Sequence, residues 1–162
     1  MILNIIKYGN DNGKLRKTNI NTKNNDHAKE LISNLLETID YYGYHSLSAP
    51  QVGKNLNLFV ISLKGFREVF INPKIKAYGH NIQITEECPS LQGTKNVVNR
   101  KAKVKVEYHD KNWKYKLKEF EGEISKIIQH EYDHLIGKLT IDYWLWVFYV
   151  NIKTIKIFLI YT

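Results

Sequence analysis

Cysteine occurs once in these 162 residues, so no disulfide can form within the chain and a reducing, cytoplasmic setting is expected. Proline occurs three times and glycine nine, too few for a fibrous or low-complexity chain. No apolar run is both long and unbroken. The opening Met1-Ile2-Leu3-Asn4-Ile5-Ile6 is too short for a signal peptide or a span. The apolar stretch from Trp144 to Thr162 is interrupted by Asn151, Lys153 and Lys156, so a packed element with no membrane contact is expected, with 152–158 as a final strand. Acid is in deficit: 16 Asp and Glu against 24 Lys and Arg, a net charge of +8. That balance favours an acidic neighbour, and a transient contact with a ribosome is one candidate. No compact basic-aromatic motif stands out, so sequence-specific nucleic-acid binding is not expected. Repeats and linkers are also missing, and 1–162 reads as a single domain long enough to bury a core.

What is there centres on Gln129-His130-Glu131-Tyr132-Asp133-His134, a His-Glu-x-x-His pattern. Residues four apart on a helix point about 40° apart and lie about 6 Å along the axis. Two imidazoles so placed can hold one divalent ion, while Glu131 reaches a water beside it without being a ligand. A helix is predicted because Ile124, Ile127, Ile128 and Leu135 keep helical spacing, the run has no proline, and Gly137 offers a stop. Paired helical histidines also occur as ordinary half-buried side chains, but the full pattern favours metal.

Two histidines leave a tetrahedral ion short of a protein ligand. Beyond His134 the chain has neither Glu nor His, and Asp142 is the only carboxylate there. The other source is the lone Cys88, upstream at the end of a strand. A lone cysteine by itself reads as a small buried apolar side chain.

Along the chain, residues 1–24 read as an irregular arm with a turn at Gly9 to Gly13. Asn25 or Asp26 caps a helix to about Tyr42 whose face carries Ala28, Leu31, Ile32, Leu35, Leu36 and Ile39. Gly43 to Gly53 is a tight loop. Strands are predicted over Leu56–Leu63, Val69–Pro73, Asn81–Glu86, Lys103–Tyr108 and Trp113–Phe120, with a polar loop running to Arg100. The class is α+β: antiparallel or mixed β-sheets packed around the helix that carries the motif.

Three stretches resemble the peptide deformylases. Glu86-Glu87-Cys88-Pro89-Ser90 is similar to their Glu-Gly-Cys-Leu-Ser, and Gln129 to His134 matches their Gln-His-Glu-x-Asp-His. Ser46-Leu47-Ser48-Ala49-Pro50-Gln51 resembles their Gly-Leu-Ala-Ala-Pro-Gln. Order and approximate spacing agree, and further similarity extends over roughly residues 1–145. The resemblance implies a metal-dependent hydrolase that removes the formyl group from N-formylmethionine at the start of nascent chains and releases formate. It implies Cys88, His130 and His134 as ligands of Fe2+, with Zn2+, Ni2+ or Co2+ able to substitute. Glu131 is implied as the acid–base residue and Gln51 as a donor to the oxyanion. Ser46, His45, Ile84, Glu86 and Ile127 are implied at the substrate pocket. Arg100 is expected to pair with Glu86 or Asp133 and brace the site. The partners implied are formylmethionyl peptides, and a monomer is expected.

The departures are specific. Tyr44 and Ser46 stand where the family has glycines, Glu87 replaces the glycine before the cysteine, and Pro89 follows it. The family's backbone N–H at that last position is a second oxyanion donor, and proline has none. Two other readings stay in view: a metallopeptidase on the same helix motif with a third ligand other than Cys88, and a degenerate homologue serving as a binding module at the ribosome.

Overall fold

The computed structural model describes residues 1–10, 12–16, 20–91 and 94–143. The final strand expected over 152–158 lies outside them. The described elements are α1 (Asn12–Leu15), α2 (Asp26–Tyr42), β1 (Ser46–Ser48), a 3-10 turn (Ala49–Val52), β2 (Leu58–Leu63), β3 (Phe66–Glu87), β4 (Lys95–His109), β5 (Tyr115–Glu121) and α3 (Gly122–Leu135). The five strands form one antiparallel sheet in the order β1-β2-β3-β4-β5. The α+β expectation holds. Among the described residues a single sheet replaces the expected plural, and the parallel pairing is one isolated bridge, Ile20 to Leu56.

Helix α2 follows from local chemistry. The Asn25 side chain accepts from the Ala28 N–H at 2.9 Å, and Gly43 closes the far end in the left-handed region at φ 68°. Its stripe of Leu31, Ile32, Leu35 and Ile39 packs on Leu47, Leu58, Val60, Val69 and Ile71. Alternate residues of the same strands point the other way. Phe59, Ile61 and Phe70, with Val104, Val106 and Tyr108 of β4, meet Ile128 and Leu135 of α3. The sheet is therefore covered by α2 on one face and α3 on the other.

Strand boundaries differ from the sequence reading most at two places; elsewhere β2 and β5 each start two residues later than expected, and the loop from Gly43 to Gly53 contains the short β1. The predicted strands at 69–73 and 81–86 are parts of β3, whose pairing with β4 shifts between Ile71 and Lys74 and again between Tyr78 and Asn81. Pro73 and Gly79 read as terminators, yet a bulge lets a strand carry such residues through. The predicted polar loop before Arg100 is instead the first part of β4. Its inward positions include the buried polar residues Asn96 and Arg100, which hide the alternation.

The described part of the arm is tied to the rest of the fold at several points. Ile6 N–H bonds the Gln51 carbonyl at 2.8 Å and Tyr8 N–H bonds the Ser90 carbonyl at 2.8 Å. The Lys7 ammonium donates to the Pro89 carbonyl at 2.8 Å. Leu15 is fully buried against Cys88, Leu91 and Leu139. At Gly137 (φ 74°), which ends α3, an added Cβ would lie 2.3 Å from the Arg16 carbonyl oxygen, so only glycine fits.

Candidate metal centre

Helix α3 presents His130 and His134 on one face, with ring centroids 5.0 Å apart. The end of β3 brings Cys88 to them. Sγ lies 3.3 Å from His134 Nε2, and one ligand atom from each of Cys88, His130 and His134 falls within 4.8 Å of the others. All three residues are buried. Ligands of one tetrahedral ion, at bond lengths of about 2.0–2.3 Å, sit roughly 3.3–3.6 Å apart. The Cys88–His134 separation already fits that spacing, and a sulfur with two imidazoles suits iron or zinc.

The charge state of the sulfur fits as well. Burial pushes the Cys88 thiol up, but the charge of His134 and the bonds of both rings outweigh it and hold the thiol well below its ordinary range. The sulfur is thus disposed to be the thiolate that a metal binds. Burial lowers the His130 pKa, but its bonds to Cys88 and Glu86 outweigh that and hold it well above its ordinary value, so an ion bound at this ring displaces a proton. His130 Nδ1 lies 2.8 Å from Glu86 Oε2, which leaves Nε2 for a ligand.

A buried ion network stands behind His130. Arg100 grips Glu86 with two bonds, 2.7 Å from Nε and 2.8 Å from Nη2, and donates to Asp133 at 2.6 Å. The expected pairing with one carboxylate is in fact with both. Burial pushes the Glu86 carboxyl up, but Arg100 and His130 bring it down to about 2. Tyr143 joins the network, accepting from Arg100 and donating to Asp133, each at 2.8 Å. Sequence reading missed Tyr143, because a lone tyrosine outside the motif carries no spacing signal.

Glu131 is 1% exposed. Its Oε1 accepts from the Ser46 hydroxyl at 2.6 Å, and its Oε2 is buried with no partner among the described residues. Gln51 is fully buried behind the sulfur. Its amide nitrogen lies 3.5 Å from Cys88 Sγ, while its oxygen accepts from the Ser48 N–H at 2.8 Å and the Ser48 hydroxyl at 2.9 Å. Those two donors fix which way the amide faces. Ser48 was also missed, although Ser-x-x-Gln is a recognisable capping pattern.

A cavity of about 980 Å³ opens on this cluster, and Ser46, His45, Ile84, Glu86, Ile127, Cys88, His130 and Glu131 line it. Gln51, His134, Arg100 and Asp133 stand outside that lining. Glu87 turns outward to the Lys95 ammonium, 2.8 Å away, and is two-thirds exposed, so it adds no buried charge beside the sulfur. Asp142, the other candidate third ligand, is held by both arms of Arg16 at 2.8 and 2.9 Å and by the Leu139 N–H.

The polypeptide deformylase family model matches residues 2–145. The chain belongs to that family. It is 41% identical over 148 residues to the peptide deformylase of Karelsulcia muelleri, covering 88% of this chain and 78% of that protein. The Synechococcus elongatus deformylase, solved in complex with actinonin, superposes with a TM-score of 0.82 at 34% identity, covering 87% of this chain and 78% of that one. The Thermotoga maritima deformylase gives 0.80 at 30% identity, covering 88% and 97%. Deformylases are metal-dependent hydrolases, and the buried sulfur–imidazole cluster fits that requirement. No helix among the described residues is long and apolar enough to cross a membrane.

Proposed function

We propose that this deformylase-family chain removes the N-formyl group from formylmethionyl peptides. The observation that carries the reading is the meeting of Cys88 with His130 and His134 beside a buried Glu131 at the base of the cavity. Cys88, His130 and His134 would hold one divalent ion, and we assign Fe2+, with Zn2+, Ni2+ or Co2+ able to replace it. Such an ion supplies Lewis acidity and lowers the pKa of water.

The rest is done by the chain. Glu131 takes the proton from the attacking water and returns it to the amine nitrogen as the formyl C–N bond breaks, giving formate and a free α-amine. Glu86, clamped by Arg100, orients the His130 ring through Nδ1. Asp133 and Tyr143 brace that arginine. Gln51 supplies an amide donor for the oxyanion, oriented by Ser48. Its N–H faces the sulfur at 3.5 Å, which keeps the donor within the same cluster.

Ile84 and Ile127 offer apolar walls for the methionine side chain, with His45 at the rim. Strand β1 is at the edge of the sheet, and its residue Ser46 lines the cavity, so an extended peptide can add along it through main-chain bonds. We place the protein in the cytoplasm as a monomer that meets nascent chains, with a transient ribosome contact favoured by its net positive charge.

The test is formate release from formyl-Met-Ala-Ser by protein purified without oxygen, with metal measured on the same sample. Release by wild type that vanishes in Glu131→Ala is the expected result. Peptide-bond cleavage without formate would mean a metallopeptidase. Neither activity, without stoichiometric metal, would mean a binding module.

A further inference from the structure

We propose that Ser46 is a positioning residue for Glu131, holding the carboxylate plane by one oxygen so that the other faces the reacting water. This rests on the deformylase reading above. The family motif set out earlier carries glycine at this position, so this chain has a hydroxyl donor where that motif has only a hydrogen.

The contact is built from two rigid elements. Ser46 opens β1, where it pairs with Ile61 of β2, and the neighbouring His45 carbonyl accepts from the Ser62 N–H at 2.8 Å. Glu131 sits in the C-terminal half of α3, 1% exposed. Eighty-five residues apart in sequence, Ser46 Oγ and Glu131 Oε1 meet at 2.6 Å, the length of a charge-assisted O–H bond. The terminal torsion of a glutamate is soft. A bond to Oε1 sets that torsion, and Oε2 is left buried, with no partner among the described residues, on a residue that lines the cavity together with Cys88 and His130. A serine hydroxyl has one hydrogen to give. Spent on Glu131, it is not available as a donor to the substrate, so the contact acts on turnover and not on binding.

The test compares Ser46→Ala, Ser46→Gly and Ser46→Thr with wild type. Loss of the donor in Ala and Gly lowers kcat roughly tenfold with KM within about twofold, and Thr, which keeps the hydroxyl, restores kcat. A second readout uses metal-free protein labelled with carbon-13 in glutamate. The infrared carboxylate band that disappears in Glu131→Gln belongs to Glu131. It shifts in Ser46→Ala and stays in Ser46→Thr. Ser46 is only partly buried, so all three variants fold, and melting curves check this. A wild type without formate release overturns the deformylase reading and this role with it. If wild type releases formate, then an unchanged kcat in Ser46→Ala, a change in KM alone, or an unmoved band overturns this role only.

Discussion

The two long helices lie on opposite faces of one sheet and are held there by different physics. Helix α2 contributes Leu31, Ile32, Leu35 and Ile39 to an apolar cluster. Helix α3 buries Gln129, His130, Glu131, Asp133 and His134 next to Ile128 and Leu135. Apolar burial needs only shape and area, about 25 cal/mol for each Å² withdrawn from water. Polar burial needs a partner for each group. On the α3 side most partners are supplied: Glu86 for His130, Arg100 for Asp133, Ser46 for Glu131, and the Lys101 backbone for Gln129. The sheet-packing stripe of α2 can thus be made from well-fitting hydrocarbon, its buried Asn34 and Thr38 bonding the N-terminal segment instead, whereas the α3 face requires particular atoms from three distant strands.

That contrast can be broken at several points. The largest effect is expected from Glu131→Ala, which should cut formate release about 10³-fold while metal content and melting temperature hold. Next is Arg100→Met. It leaves Glu86 and Asp133 buried without their cation and should cost about 3–5 kcal/mol in denaturant unfolding, with metal affinity falling too. Leu35→Ala is the matching change on the other face: about 3 kcal/mol of stability lost, with kcat per folded molecule unchanged. Pro89→Leu restores a backbone N–H beside the sulfur and should raise turnover about 10²-fold; an unchanged or lower rate would show that this donor is not missed.

The last test is the acid dependence of metal-free protein. Glu86 is held at about 2 in the folded state against 4.5 ordinarily. The folded protein therefore binds fewer protons between those values, and stability rises with pH across that window. The contribution is complete above about pH 4.5 and is lost as pH falls towards 2. Unfolding followed against pH should show this slope in wild type and a weaker one in Arg100→Met.

Legibility in the sequence follows the same division. Helix α2 is legible because cap and period both act locally, and it lies where those signals put it. The His-Glu-x-x-His helix was equally plain. The length of β3 was hidden by Pro73 and Gly79, and the start of β4 by Asn96 and Arg100, since inward polar residues imitate a loop. The resemblance pairs Arg100 with Glu86 or Asp133, but its hold on both, and its contact with Tyr143, arise only when β3, β4 and the segment after α3 converge. The bond from Ser46 to Glu131 was not legible either, because no pattern within one segment encodes an approach between two.

The first eight residues have a consequence out of proportion to their size. The loop bearing Gln51 and the loop bearing Cys88 are each sewn to this one ribbon of backbone, through Ile6 and Tyr8, and Lys7 tightens the second stitch. The gap between amide and sulfur is therefore gauged by a segment that belongs to neither loop. Lengthening that ribbon by one residue between Ile6 and Tyr8 would slide one loop past the other, and the harm would register in the speed of turnover before it registered in the heat needed to melt the fold.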